Sequence, residues 1–228
     1  MAEGLRRSVL VWDLPTRLFH WLLVLAVAGC WWTGERGPVE THTLLGYFVL
    51  ALLLFRLAWG LVGSETARFS SFVRGPAAAL GHVRDLLRPG PLEHGAGHNP
   101  LGGWSVLLLL LVLLLVSVTG LFLYDDEIYW APLNAWVSEG TENRLDRLHH
   151  LGFDVLLILI AVHVAAILLY WTIKRSNLVG PMVTGRAELA RETAQPRTAG
   201  LTLALVIAAL AAAAVWALVT YGPGLAPA

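Results

Sequence analysis

Five runs of apolar residues, each long enough to cross a bilayer as a helix, decide most of what this chain can become. A spanning helix needs about 20 mostly apolar residues, each adding about 1.5 Å. Leu14 to Trp32, His42 to Val62, Trp104 to Tyr124, Leu148 to Ile173 and Leu201 to Tyr221 meet that requirement. The third is the most lipid-like, with eleven aliphatic residues in a row from Val106 to Val116. Hydrophobic residues make up 57% of the 228 and charged ones 14%, against about 45–50% and roughly 25% in a soluble domain. Backbone groups in lipid must be satisfied internally, so the expectation is an all-α membrane protein.

Charge sets the orientation and excludes one class of partner. Sixteen Lys and Arg balance sixteen Asp and Glu, which leaves none of the basic excess that nucleic-acid binding draws on. Positive residues are retained on the cytoplasmic side. With the N-terminus inside, twelve of them face the cytoplasm, Arg36, Arg144 and Arg147 lie outside, and Arg56 falls within the second run. The chain is therefore expected to place its N-terminus on the cytoplasmic side and its C-terminus on the opposite side of the membrane.

Between the second and third runs, Pro76 opens a segment with apolar residues at Leu80, Val83 and Leu87, read as a short amphipathic helix on the membrane surface. His82, His94 and His98 in this loop are expected to be solvated. The outer loop after the third run carries Asp125-Asp126-Glu127, Tyr129, Trp130 and Trp136, an acidic and aromatic surface suited to a headgroup boundary or a protein partner.

Ionisable residues inside membrane segments are costly and are functional candidates by default. His20 lies near the inner end of the first run and His42 opens the second at the outer side. His149 opens the fourth at the outer side, and His163 follows fourteen residues later. Fourteen helical residues return to within about 40° of the same face, about 21 Å further along, while His150 faces elsewhere. At two depths His42 can meet His149, and His20 can meet His163. Two imidazoles on opposite sides of one planar ligand are how a bis-histidine haem b is held between helices. Four histidines split between two depths cannot make one tetrahedral zinc site. A single cysteine, Cys30, excludes a cysteine-held cluster and covalent haem attachment. Haem propionates need cations: Arg17 and Arg56 stand at the inner level, and Arg36, Arg144 and Arg147 at the outer.

The segment Val11-Trp12-Asp13-Leu14-Pro15-Thr16-Arg17-Leu18-Phe19-His20-Trp21 resembles the opening motif of the bacterial di-haem b-type cytochromes, the group of prokaryotic cytochrome b561 and the cytochrome b subunit of nickel-iron hydrogenases. His42-Thr-Leu-Leu-Gly46 with Phe55-Arg56-Leu57-Ala58-Trp59-Gly60 is similar to that family's second helix. So is the stretch from His149 to His163 with Lys174-Arg175-Ser176-Asn177-Leu178 and Pro181-Met182. The resemblance implies a four-helix transmembrane bundle binding two haems over residues 8–186, with residues 187–228 adding a linker and a fifth transmembrane helix. It further implies exchange of electrons between the quinone pool and a periplasmic redox protein, whether a cytochrome c, a hydrogenase or a dehydrogenase subunit. The alternative is a self-contained superoxide:quinone oxidoreductase. A quinone is expected beside the inner haem, near His20, Arg17 and Arg56.

Overall fold

The computed structural model describes residues 6–88, 90, 95–125 and 129–226. The five apolar runs are five helices long and apolar enough to cross a membrane. They are α1 (Leu14–Arg36), α2 (Val39–Val62), α5 (Pro100–Thr119, continued by a 3-10 turn, Gly120–Phe122), α6 (Glu139–Thr172) and α8 (Leu201–Tyr221). Between them lie α3 (Phe69–Phe72), α4 (Pro76–Leu87) and α7 (Val179–Thr184). Large apolar side chains such as Leu25, Leu111, Ile158 and Leu210 are exposed, the surface that lipid covers in a membrane protein.

Helix α6 begins nine residues before the apolar run that predicts it. Its first turn carries Glu139 and Glu142, which favour a helix N-terminus through the backbone dipole. The Ser138 carbonyl accepts from the Thr141 and Glu142 amides at 2.8 and 2.9 Å. A hydropathy scan finds only the part of a helix that lies in lipid, and this polar turn escapes it.

The chain divides into two compact units, Met1–Leu18 with Ala58–Leu108 and Leu159–Ala204, and Phe19–Leu57 with Leu109–Ile158 and Leu205–Ala228. In the first, β1 (Arg6–Leu10) pairs antiparallel with β4 (Arg186–Ala190), Arg6 opposite Ala190 and Leu10 opposite Arg186. This ladder crosses the 186/187 boundary expected between core and linker. Val9, Val11, Trp12 and Leu189 form its buried cluster. Gly185 turns the chain into β4 at φ +85, and a Cβ there would lie 2.8 Å from the Trp12 carbonyl oxygen, so both backbone and space call for glycine.

Asp13 ties the opening motif together. It is buried; Oδ1 accepts from the Thr16 amide at 2.7 Å, in the manner of a helix N-cap, and Oδ2 from the indole of the wholly buried Trp59 at 3.1 Å. Asp13→Ala removes a cap and strands a buried N–H, a loss of about 2–4 kcal/mol together. Asp13→Asn restores the cap alone, because its amide nitrogen would meet the indole donor to donor. Thermal denaturation should therefore rank the wild type above Asn and Asn above Ala.

In the second unit, Leu50, Leu121, Leu133 and Val215 form the buried cluster. β2 (Tyr124–Asp125) and β3 (Tyr129–Trp130) pair as a short hairpin; Asp126 and Glu127 lie outside the described residues. The fifth spanning helix, α8, buries Ala204, Ala211 and Val215 along one stripe and exposes Leu205, Leu210 and Trp216. The Trp136 indole donates to the Gly222 carbonyl at 2.9 Å, fastening the end of this helix.

Candidate functional site

His42, in the first turn of α2, and His149, on α6, are gripped in the same way. Nδ1 of His42 lies 2.9 Å from the Cys30 carbonyl oxygen and Nδ1 of His149 3.0 Å from that of Val116. A carbonyl only accepts, so each Nδ1 carries the proton and each Nε2 keeps its lone pair.

Three residues beyond each carbonyl stands a threonine. Thr33 Oγ1 is 3.5 Å from His42 Nδ1, and Thr119 Oγ1 is 3.4 Å from His149 Nδ1. Both hydroxyls donate one turn back, to Gly29 at 2.7 Å and to Leu115 at 2.9 Å. One residue further on stands a glycine. A Cβ on Gly34 would lie 3.2 Å from the His42 ring, and one on Gly120 3.1 Å from the His149 ring. Two Thr-Gly corners, near the ends of α1 and α5, thus cradle two imidazoles.

The rings are 6.2 Å apart between centroids, at 73° to each other. Metal–imidazole bonds of about 2 Å on opposite sides of one ion place ring centres roughly 6 Å apart. Tautomer and spacing would both suit a metal such as haem iron held between the two rings. Its neighbour His150 is turned away, 75% exposed along its side chain and 3.4 Å from Asp146.

The other site residues sit separately in the two units. His163 is half-buried in a stretch, 161–168, whose other members are exposed except Ile167. Arg17 donates to the Val183 carbonyl at 2.6 Å. In the other unit His20 is half-buried, edge-on to Trp21 at 4.9 Å. Arg56 is 3% exposed, a buried guanidinium inside a spanning helix. Of the outer arginines, Arg36 lies over the Trp32 ring at 5.6 Å.

Two histidines expected to be solvated are packed instead. His98 lies 4.6 Å from the Trp12 ring and 4.5 Å from that of Phe72. His82 is hydrogen-bonded to Tyr170 at 2.6 Å. His82 stands on the less exposed face of α4, with Ala79, Val83 and Leu86, while Leu80 is 62% exposed. His94 lies outside the described residues. Asp13, Trp59, Tyr170 and Asn99 are polar or buried positions that the sequence did not single out as site residues; Asp13 before Leu14-Pro15 and Asn99 before Pro100 carry a local signal, as N-cap residues.

The model of the prokaryotic cytochrome b561 family matches residues 11–185. The chain is 27% identical over 215 residues to the probable Ni/Fe-hydrogenase B-type cytochrome subunit of Rhizobium leguminosarum bv. viciae, covering 79% of this chain and 89% of that one. It is 29% identical over 213 residues to the protein of the same description from Azotobacter vinelandii, covering 78% and 88%. No solved structure matches. A multi-pass membrane b-type cytochrome is the class that fold and comparisons define. The chain belongs to the prokaryotic cytochrome b561 family, and its work is electron transfer across a membrane.

Proposed function

We propose that the chain passes electrons between a quinone in the membrane and a redox protein on the periplasmic face, through two haem b groups. The outer one is held by His42 and His149. The inner one is held by His20 and His163, an assignment that rests on their matching depth in the sequence. The observation that carries the reading is the pair of imidazoles whose Nδ1 protons are fixed on carbonyls, leaving two Nε2 lone pairs for one metal. Hydrogen-bonding the far nitrogen is how metal-ligating histidines are oriented and made more basic.

Haem b, when bound, would supply a one-electron iron couple, with these four histidines the residues that would hold it. The chain supplies the rest. Cys30 and Val116 hold the ring protons, the Thr-Gly corners keep bulk off the rings, and Arg56 and Arg17 offer positive charge for propionates or a quinone oxygen. The relatives' description as hydrogenase cytochrome subunits favours a hydrogenase as the partner. The uneven division of Lys and Arg between the two sides supports an N-terminus inside.

A pyridine haemochrome assay on the purified chain tests the haem count. Two haem b per chain are expected, extractable by acidified organic solvent. One haem per chain overturns the inner site or the outer.

A further inference from the structure

Asn99, Tyr170 and His82, none of them a proposed haem ligand, form a hydrogen-bonded series. The Gly102 amide donates to Asn99 Oδ1 at 2.7 Å, which fixes the orientation of the Asn99 amide. Its Nδ2 therefore faces the Tyr170 hydroxyl and donates to it at 3.0 Å. The hydroxyl lies 2.6 Å from His82 Nε2, to which it can donate when His82 is the Nδ1–H tautomer.

The series has a buried end and a wet end. Tyr170 is 4% exposed and lies on α6, seven residues beyond His163, so the two share a face to within about 20° and stand about 10 Å apart. His82 is half-buried on α4, a helix that shows exposed Arg84 and ion-paired Asp85 and Arg88 to solvent. A latch holding α4 to α6 would need only an acceptor for the tyrosine. An imidazole offers more, because one nitrogen can take a proton as the other gives one up.

We infer that Tyr170 and His82 are a proton relay between a quinone site on the His163 face and water at the Arg-rich surface. The inference rests on the quinone reading above. Oxidation of a quinol releases two electrons, which pass into the chain's redox centres, and two protons, which leave in turn. As a quinol O–H bond breaks, a new O–H bond forms on Tyr170. The former Tyr170 proton forms an N–H bond at His82 Nε2, and the Nδ1 proton passes to water. Exchange with water returns His82 to its Nδ1–H tautomer. Reduction of a quinone runs the same steps backwards.

The test uses the haem-loaded chain, a short-chain ubiquinol as electron donor and dithionite as a donor that needs no proton relay. Tyr170→Phe and His82→Gln should each slow haem reduction by the quinol about a hundredfold, with dithionite reduction and haem content unchanged. His82→Gln keeps an acceptor for the tyrosine, so a mere latch would leave it at the wild-type rate, and that rate overturns the relay. Added imidazole should restore His82→Ala. Independently of turnover, 15N NMR of labelled histidine should show His82 as the Nδ1–H tautomer in the wild type and lose that preference in Tyr170→Phe. An Nε2–H tautomer in the wild type also overturns the relay. A wild type inert toward ubiquinol removes the quinone reading and the relay together, whereas a reactive wild type with unaffected variants removes the relay alone.

Discussion

Replacing His149 with Ala should halve the haem content of the purified chain, His42→Ala should do the same, and His150→Ala should leave it unchanged. The two ligand positions face each other at 6.2 Å between ring centres, each with Nδ1 committed to a carbonyl. On the proposed ligation, removal of either would leave the iron with one imidazole and loosen the hold on the porphyrin. His150 is exposed against Asp146, where its loss removes only a surface ion pair, about 0–1 kcal/mol. The cradle makes a finer prediction. Gly120→Val places a branched side chain where even a Cβ stands 3.1 Å from the His149 ring, so it should cost the same haem with the ligand still present. The measurement is haem per chain by pyridine haemochrome, with monodispersity in detergent as the check on folding. Two haems retained in both His42→Ala and His149→Ala would sink the outer assignment.

The sequence made some of this legible because lipid leaves a coarse signature. An apolar run between Gly200 and Gly222 can do little but span, and α8 begins and ends where that run does, at Leu201 and Tyr221. The fourteen-residue spacing from His149 to His163 expresses helical period alone, and on the folded α6 it is His149 whose ring faces His42. What escaped depends on contacts between distant segments. The pairing of Arg6–Leu10 with Arg186–Ala190 joins strands 176 or more residues apart, and neither five-residue piece signals a strand by itself. The Thr33-Gly34 and Thr119-Gly120 corners are two-residue coincidences until the fold sets a histidine against each. The packing of His82 was hidden because its partner, Tyr170, lies 88 residues away in the sequence.

Replacing His163 with Ala should produce the second large effect, and its sidedness is the sharper test of the proposed path. His163 lies about 21 Å along α6 from His149, so the two haem sites would stand in series across the bilayer rather than side by side. In proteoliposomes, loss of either should abolish transfer from one face to the other, while the surviving haem remains reducible from its own side. For His163→Ala the survivor is the outer haem. It should still exchange electrons with a soluble donor on the periplasmic face and become inert toward a quinol. His149→Ala should show the reverse, a quinol-reducible haem that no soluble donor on that face can reach. His20→Ala should reproduce His163→Ala in both respects, since the two are assigned to one iron. Visible spectra recorded with a membrane-impermeant donor and with a short-chain ubiquinol distinguish these outcomes. If His163→Ala stays reactive toward the quinol, the quinone site is at the outer haem, and the inward placement at Arg17 and Arg56 falls while the haem ligands stand.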